Sequence, residues 1–337
     1  MDRRVRGSLS ALLGVALVSL MMPMAALART DAALERSSNA ATAFAAVPIR
    51  NRATLAPLPK FTIRPFAISL VTIQTLVWAD LPLNGQTLLS LKVAAGADAD
   101  GIVYKLVDGR RVYSPGNLGN DGIRYLDGYV RTGDPAYLDR AVVRAKKLIS
   151  LSRLSGGARY FPYMTDYPLE KLKAPWYSAY SQGFALSLFV RLYRVTGVQT
   201  WADRARETAL SFRRLGRVTQ PWVAYVLNGR LWLEEYPSAT PTHVLNGFNF
   251  ALFGLYDYER LTRDPAAKDL LRGGLRTIRS FVTTYRVPGG ISYYDLVHRT
   301  RFAHYHLIHT WQLRALAKIS GDSWYGSMAA AYWRDYH

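Results

Sequence analysis

The sequence predicts a mainly helical fold: an incomplete α/α barrel of about four helix pairs, with β-hairpins on one rim and a small N-terminal region ahead of it. Three observations carry this prediction. A helix–turn–helix signal recurs at steps of about 60 to 66 residues from Tyr113 onward. The two helices of each pair differ in hydrophobic pattern. Glycine turns with strand-like flanks separate one pair from the next.

The recurring turns are Thr132-Gly133-Asp134-Pro135, Thr196-Gly197, Thr262-Arg263-Asp264-Pro265 and Gly321-Asp322. Each joins two helical patterns: glycine suits the end of the first helix, and aspartate with proline suits the start of the second. The first helix of a pair is apolar nearly all round, as in Tyr180, Phe184, Ala185, Leu188, Phe189 and Leu192, or Val244, Phe248, Leu252 and Leu255. Such a helix is buried on most sides. The second is amphipathic and basic. Ala202, Ala205, Ala209 and Phe212 form one stripe, with Arg204, Arg206 and Arg213 off it; Leu271, Leu275, Ile278 and Val282 do the same beside Arg272, Arg276 and Arg279. Inner helices this apolar do not suit the open concave face of a flat solenoid, so the pairs are expected to curl toward a ring.

The hairpins are expected at Gly156-Gly157, at Asn228-Gly229 between residues 222–227 and 230–235, and at Gly289-Gly290 ahead of Ile291 to Leu296. Asn-Gly between alternating apolar residues is the strongest local hairpin signal in the chain. In a ring of helix pairs each such connection joins an outer helix to the next inner one, so all emerge on the same rim.

The N-terminus carries an export pattern. Arg3, Arg4 and Arg6 precede an uncharged apolar run, and Ala26-Leu27-Ala28 offers small residues for cleavage. Residues 1–28 are therefore expected to be a signal peptide, with an uncleaved membrane anchor as the alternative. The mature protein would be periplasmic or extracellular. Residues 29–100 are expected to be a linker and a small extended or β region, in which Phe66 to Leu81 fits a strand pair or a buried helix equally. Residues 101–337 form the helical domain.

The chain has no cysteine, which excludes disulfides, thiolate metal sites and a cysteine nucleophile. Its formal net charge is +19; residues 1–28 hold three Arg and one Asp, so the remainder carries +17. Outside the cell such a balance points to acidic polysaccharide, cell-wall polymer or lipid headgroups rather than nucleic acid. Part of it belongs to solvated faces of the outer helices.

The residues after the hairpins are rich in tyrosine: Tyr160, Tyr163 and Tyr167, then Glu234-Glu235-Tyr236-Pro237, then Tyr293 and Tyr294. Five of the six histidines are His243 or lie within 298–309. A phenol stacks on the C–H face of a sugar and hydrogen-bonds through its hydroxyl. It serves as a base only if its pKa of about 10 is lowered, for which Arg299, Arg301 and the histidines are at hand.

These residues form ordered motifs. Trp176-Tyr177-Ser178-Ala179 with Gln182-Gly183 comes first. Glu234-Glu235-Tyr236-Pro237, Val244-Leu245-Asn246-Gly247-Phe248 and Gly254-Leu255-Tyr256-Asp257 follow. Tyr294-Asp295-Leu296 with His298, and Tyr305-His306 with His309 and Gln312-Leu313, complete the set. Together, over 176–313, they resemble the C-terminal domain of the D-glucuronyl C5-epimerases of heparan sulfate and heparin biosynthesis. The resemblance implies an α/α barrel that inverts C5 of glucuronate within a polymer to give iduronate. It implies catalytic roles for Tyr236, Tyr294, Tyr305 and Glu235. It further implies substrate roles for Trp176, Tyr177, Gln182, Asn246, His298 and His306, no metal or organic cofactor, and allows a homodimer. The sequence departs from the family where an arginine of the third motif is replaced by Val297; Arg299 or Arg301 is expected to take over its contact with the sugar carboxylate.

The chemistry agrees with this set. A hydrogen α to a carboxylate is very weakly acidic, so its removal needs a positioned base, neutralisation of the growing charge, and an acid on the other face. Tyr236 and Tyr305 suit the two faces, with Tyr294 holding or polarising the substrate. A polysaccharide lyase would begin with the same step, and a non-catalytic acidic-glycan-binding protein would keep the same rim. A hydrolase needs two carboxyl groups, from Glu234, Glu235, Asp121 and Asp127; the adjacent Glu234 and Glu235 would point oppositely in extended backbone.

Overall fold

The computed structural model describes residues 50–337 apart from 51, 86, 217 and 218. The expected signal peptide and the first part of the linker lie outside the described residues. Eight α-helices are described, in four pairs. The inner members are α1 (Pro115–Thr132), α3 (Ala179–Thr196), α5 (Leu245–Thr262) and α7 (Ala303–Ser320). The outer members are α2 (Pro135–Leu151), α4 (Gln199–Arg213), α6 (Pro265–Tyr285) and α8 (Ser323–Asp335).

The recurring turns work as their chemistry requires. Gly133, Gly197 and Gly321 follow the inner helices with φ of 74°, 70° and 64°, a left-handed conformation that costs glycine little. Arg263 adopts the same conformation at the third turn. Asp134, Asp264 and Asp322 then cap the outer helices by accepting backbone N–H bonds. Asp264 also accepts from Leu58 N at 2.6 Å.

The inner helices pack in an arc, α1 on α3, α3 on α5 and α5 on α7, and no comparable packing joins α7 back to α1. The barrel is therefore incomplete. Helices α3 and α5 are buried along almost their whole length. They touch backbone to backbone: a Cβ on Gly254 would stand 2.3 Å from Gly183 O, and one on Gly183 would stand 2.6 Å from Ala251 Cα. Farther along the same seam, the fully buried Arg191 donates to Asp257 Oδ2 at 2.8 Å.

Three antiparallel hairpins are present among the described residues. β3 (Arg153–Ser155) with β4 (Ala158–Tyr160) joins α2 to α3, and β5 (Ala224–Leu227) with β6 (Arg230–Leu233) joins α4 to α5. Asn228 and Gly229 have φ of 49° and 66°, as a tight hairpin turn demands. The hairpin expected after Gly289-Gly290 is reduced to one bridge, Tyr293 to Arg301. Its loop is organised instead by Asp295, whose carboxylate accepts from the backbone N–H of Val297, His298 and Arg299 and from Thr300 Oγ1. β1 (Lys105–Val107) and β2 (Arg110–Val112) form a hairpin ahead of α1, with register Lys105 to Val112. The turn between them, Asp108-Gly109 with φ of 49° and 73°, is a hairpin signal as good as Asn-Gly.

The segment before β1 is neither a strand pair nor a buried helix. Residues 52–77 run extended and lie across the helices as a strap. Phe66, Ile73 and Trp78 turn inward, while Ile63, Leu70 and Val77 face solvent. These positions keep no fixed strand period, and the backbone partners are helices and the Asn228-Gly229 turn, whose Gly229 O accepts from Ala67 N. Ala53 N donates to Leu261 O, Ser69 N to Arg272 O and Gln74 N to Ile319 O. Basic side chains of the helices complete the attachment. Arg206 donates to Ala56 O and Pro57 O, Arg213 to Pro59 O and Lys60 O, and Arg272 to Val71 O. Outer-helix charge read from sequence as solvated thus holds the strap in part. Arg191 likewise reaches Asn84 Oδ1 and Pro82 O.

No helix among the described residues is long and apolar enough to cross a membrane. Arg191→Ala would leave Asp257 buried with Ser187 Oγ but without its ion-pair partner, and would release the chain at Pro82. It is expected to destabilise the fold by about 3–5 kcal/mol, read from the urea midpoint.

Candidate active site

The N-terminal ends of all four inner helices face a cavity of about 410 Å³. α1 and its approach supply Tyr113, Ser114, Asn117 and Asp121; α3 and its approach supply Trp176, Ser178 and Tyr180. Glu235, Tyr236 and Asn246 come from the approach to α5 and its first turn, and Tyr305 from α7. The loop between β4 and α3 adds Tyr163, Met164, Thr165 and Tyr167, and the β1–β2 side adds Tyr104, Lys105 and Val112.

At the centre Tyr294 Oη donates to Glu235 Oε1 at 3.1 Å, and the hydroxyls of Tyr236 and Tyr294 are 3.3 Å apart. The rings of Tyr294 and Tyr305 lie 4.6 Å apart. Tyr236 stacks on Tyr167 at 4.8 Å, and Trp176 stacks on Tyr163 at 4.2 Å. Glycine makes this cluster possible: a Cβ on Gly247 would stand 2.1 Å from Glu235 Oε2.

Burial sets the electrostatics. It raises the Glu235 carboxyl to about 7, against a partial lowering by the hydroxyls of Tyr294 and Tyr236. Burial, and after it the charge of Glu235, raises Tyr236 and Tyr294 well above the usual phenol value and raises Tyr305 too. Tyr167 is pushed up to about 12 for the same leading reason. The expected lowering of phenol pKa by nearby cations is therefore absent from this arrangement.

Residues 155–334 match the family described as the D-glucuronyl C5-epimerase C-terminus. The chain belongs to this family. An uncharacterised protein of Methanocaldococcus jannaschii is 29% identical over 166 residues, covering 48% of this chain and 53% of that protein. The D-glucuronyl C5-epimerase of Caenorhabditis elegans is 27% identical over 166 residues, covering 44% of this chain and 26% of that protein. The chain thus spans about half the length of the first relative and about a quarter of the second. Among solved structures, cellobiose 2-epimerase from Bacillus thermoamylovorans aligns with TM-score 0.50 at 15% identity, over 71% of this chain and 66% of that one. This likeness concerns the barrel alone.

The motifs of this C5-epimerase-family chain divide between the cavity and the scaffold. Tyr236, Tyr305, Glu235, Asn246 and Trp176 line the cavity, and Tyr294 lies behind them, bonded to Glu235. Tyr294 is not among the residues that line the cavity; its hydroxyl stands between that of Tyr236 and Glu235. Tyr177 alternates away from Trp176 and packs its ring on Tyr160. Gln182 is a core residue: Oε1 accepts from Phe161 N, and Nε2 donates to Arg159 O and Ser211 Oγ. His306, about 100° around α7 from Tyr305, accepts at Nδ1 from Ser292 N and donates from Nε2 to Tyr332 O. None of these three reaches the cavity.

The remaining candidates stand apart from it as well. His298 Nε2 is 3.2 Å from Glu170 Oε1, tying the Asp295 loop to the loop that carries Tyr167. Arg299 and Arg301 gather on the ring of Tyr293, and Arg301 donates to its hydroxyl at 3.2 Å. Tyr293 and Tyr294 point oppositely, as neighbours in extended backbone do, so these arginines sit away from the Glu235 cluster. Glu234 also diverges from Glu235 and bonds His243 Nδ1 at 2.7 Å. That leaves the adjacent glutamates unable to share one substrate. Sequence reading passed over Asn117 and Tyr180 as site residues and weighed Asp121 only as a hydrolase carboxylate. Asn117 and Asp121, four apart on a glycine-rich inner helix, were a usable signal, because polar side chains at that spacing share one face.

Glu235 makes stability depend on pH. The folded carboxyl keeps its proton up to about 7, whereas an unfolded one loses it near 4.5, so folding stability falls as pH rises through this window. Glu235→Gln is expected to gain melting temperature over the parent near pH 8, with the gain shrinking toward about pH 5 in calorimetry.

Proposed function

We propose that this chain is an isomerase, a uronyl C5-epimerase that inverts C5 of D-glucuronate residues, to L-iduronate, within an acidic heparosan-type polysaccharide. The observation that carries the reading is the buried relay from Tyr236 through Tyr294 to Glu235, with Tyr305 lining the same cavity and its ring 4.6 Å from that of Tyr294. Membership of the family supports the class of reaction.

The relay answers a difficulty. A phenol raised by burial is a poor source of phenolate by itself. Ionised Glu235 supplies the sink: the Tyr294 proton passes to Glu235, the Tyr236 proton passes to Tyr294, and the Tyr236 phenolate takes the hydrogen from C5. The electron pair left at C5 delocalises onto the adjacent carboxylate. Tyr305, whose raised pKa keeps its proton in place, donates it to C5 from the opposite face. The C5 proton leaves Tyr236 neutral again, and water then carries the proton held by Glu235 to the Tyr305 phenolate, which returns the site to its starting state. Each step moves one proton and breaks no C–O bond, so the polymer keeps its length. Trp176 and Tyr167 supply aromatic faces for the sugar, and Asn246 supplies an amide donor.

Such a substrate belongs with export of the mature chain. Two arms test the reading. The protein from residue 29 onward is incubated with unsulfated heparosan-type polymer in heavy water and the uronate followed by NMR. Deuterium at C5 with intact chain length is expected; ultraviolet-absorbing unsaturated ends would indicate a lyase, new reducing ends a hydrolase, and neither exchange nor cleavage on any uronate polymer a binding protein. Tyr236→Phe and Tyr305→Phe are each expected to lower exchange by at least about 10²-fold with little loss of polymer affinity. Normal exchange by both would remove the tyrosine assignment. In the parent the rate should climb as pH rises through about 7, where Glu235 ionises. Glu235→Gln should be slow throughout and lack that limb.

A further inference from the structure

Removing the C5 hydrogen doubles the negative charge on the sugar's carboxylate group, and a cation is needed there. The motif position that usually holds arginine is Val297, which is 49% exposed. Arg299 and Arg301 are engaged with Tyr293. None of the three lines the cavity.

The cavity does have a cationic side chain. Among its described lining residues Lys105 is the one lysine or arginine. It stands in β1 opposite Val112, which also lines the cavity, so the face bearing this pair is turned toward the site. Arg110, opposite Val107, lies on the same face one pair farther out. The hairpin precedes the family-matching segment 155–334. The acidic lining groups, Asp121 and Glu235, are both shifted by burial toward their neutral forms, which lessens their competition for the lysine.

Resting on the C5-epimerase reading, we infer that Lys105 is the carboxylate-binding residue of this site, holding the acid group of the reacting uronate from the β1–β2 hairpin in place of an arginine at Val297. The geometry that selects it is its position in the cavity lining, facing a site whose other walls carry Glu235, Tyr236 and Tyr305. Lys105 donates from its ammonium group to the carboxylate and takes no part in proton transfer. Arg110 extends the same positive face toward the next anionic group of the polymer.

The test compares Lys105→Met and Lys105→Arg in the full mature chain. Lys105 is exposed on a surface hairpin, so melting temperature should not move. Lys105→Met is expected to lower kcat/KM for C5 deuterium exchange by about 10²–10³-fold, chiefly in kcat, with Lys105→Arg recovering most of it. Binding of an unsulfated glucuronate oligosaccharide should weaken in Lys105→Met. Once its carboxyl groups are reduced to primary alcohols, the parent and the variant should bind it equally. Exchange and binding by Lys105→Met at parental levels would overturn the assignment. If the parent exchanges no uronate polymer, the C5-epimerase reading fails, and the binding comparison still decides Lys105. Selective loss of the carboxylated oligosaccharide supports it, and equal affinity in parent and variant overturns it.

Discussion

The backbone contact between α3 and α5 is the constraint on which the remaining geometry depends. Gly183 and Gly254 leave no room for a Cβ, so the two inner helices lie closer than side chains would allow. That approach fixes the first turns of both helices relative to each other, and with them Trp176 and Ser178 on one side and Asn246 on the other. Gly247 extends the same logic by one step, since its missing Cβ leaves the space that Glu235 occupies. The seam is closed at its far end by Arg191 and Asp257, and Ser187 Oγ also donates to Asp257. A larger residue at either glycine would push the helices apart and displace the site before it touched any reacting group.

Burial that tight has an electrostatic consequence. A cluster of phenols around one carboxylate, shielded from water, holds protons more firmly than the same groups in solution. The arrangement therefore favours donors over bases, and the carboxyl within the cluster that burial brings near neutrality is Glu235, with Glu170 on the adjoining loop raised by burial as well. A proton-abstracting tyrosine in this setting needs a neighbour that accepts its proton, and the hydroxyl of Tyr294 bridges the two. Tyr294 is placed as that link, its hydroxyl touching both Glu235 and Tyr236.

Much of the fold was legible because it rests on local chemistry. Glycine, aspartate and proline at each inner-to-outer turn, and the contrast between apolar and amphipathic helices, are properties of short windows. The tyrosines were legible through motifs, yet motifs do not say which way a side chain points. Gln182, Tyr177 and His306 share motifs with cavity residues because the same segments also build the scaffold. Each lies one or a few positions from a cavity residue, and the alternation of extended backbone or the 100° step of a helix turns it inward. The strap was not legible. Its buried and exposed positions keep no fixed period, and its partners are helix carbonyls and arginines about 150 to 245 residues away.

The strap also changes what the positive charge means. Arg206, Arg213, Arg260 and Arg272 donate to strap carbonyls, so much of the basic character of the helices is structural. Net charge by itself is thus a poor guide to an acidic ligand in this chain. Position is the better guide: guanidinium groups on the outer face and at the far ends of the inner helices bind backbone, whereas the cation that lines the cavity belongs to a hairpin. A surface hairpin can vary in length and composition at little cost to the core, while Glu235 and Asn246 are held in place by the α3–α5 seam and Gly247. Under the proposed reading, recognition of the acid group from the hairpin, and proton transfer from the segments that lead into the inner helices, would let polymer preference change without disturbing the relay.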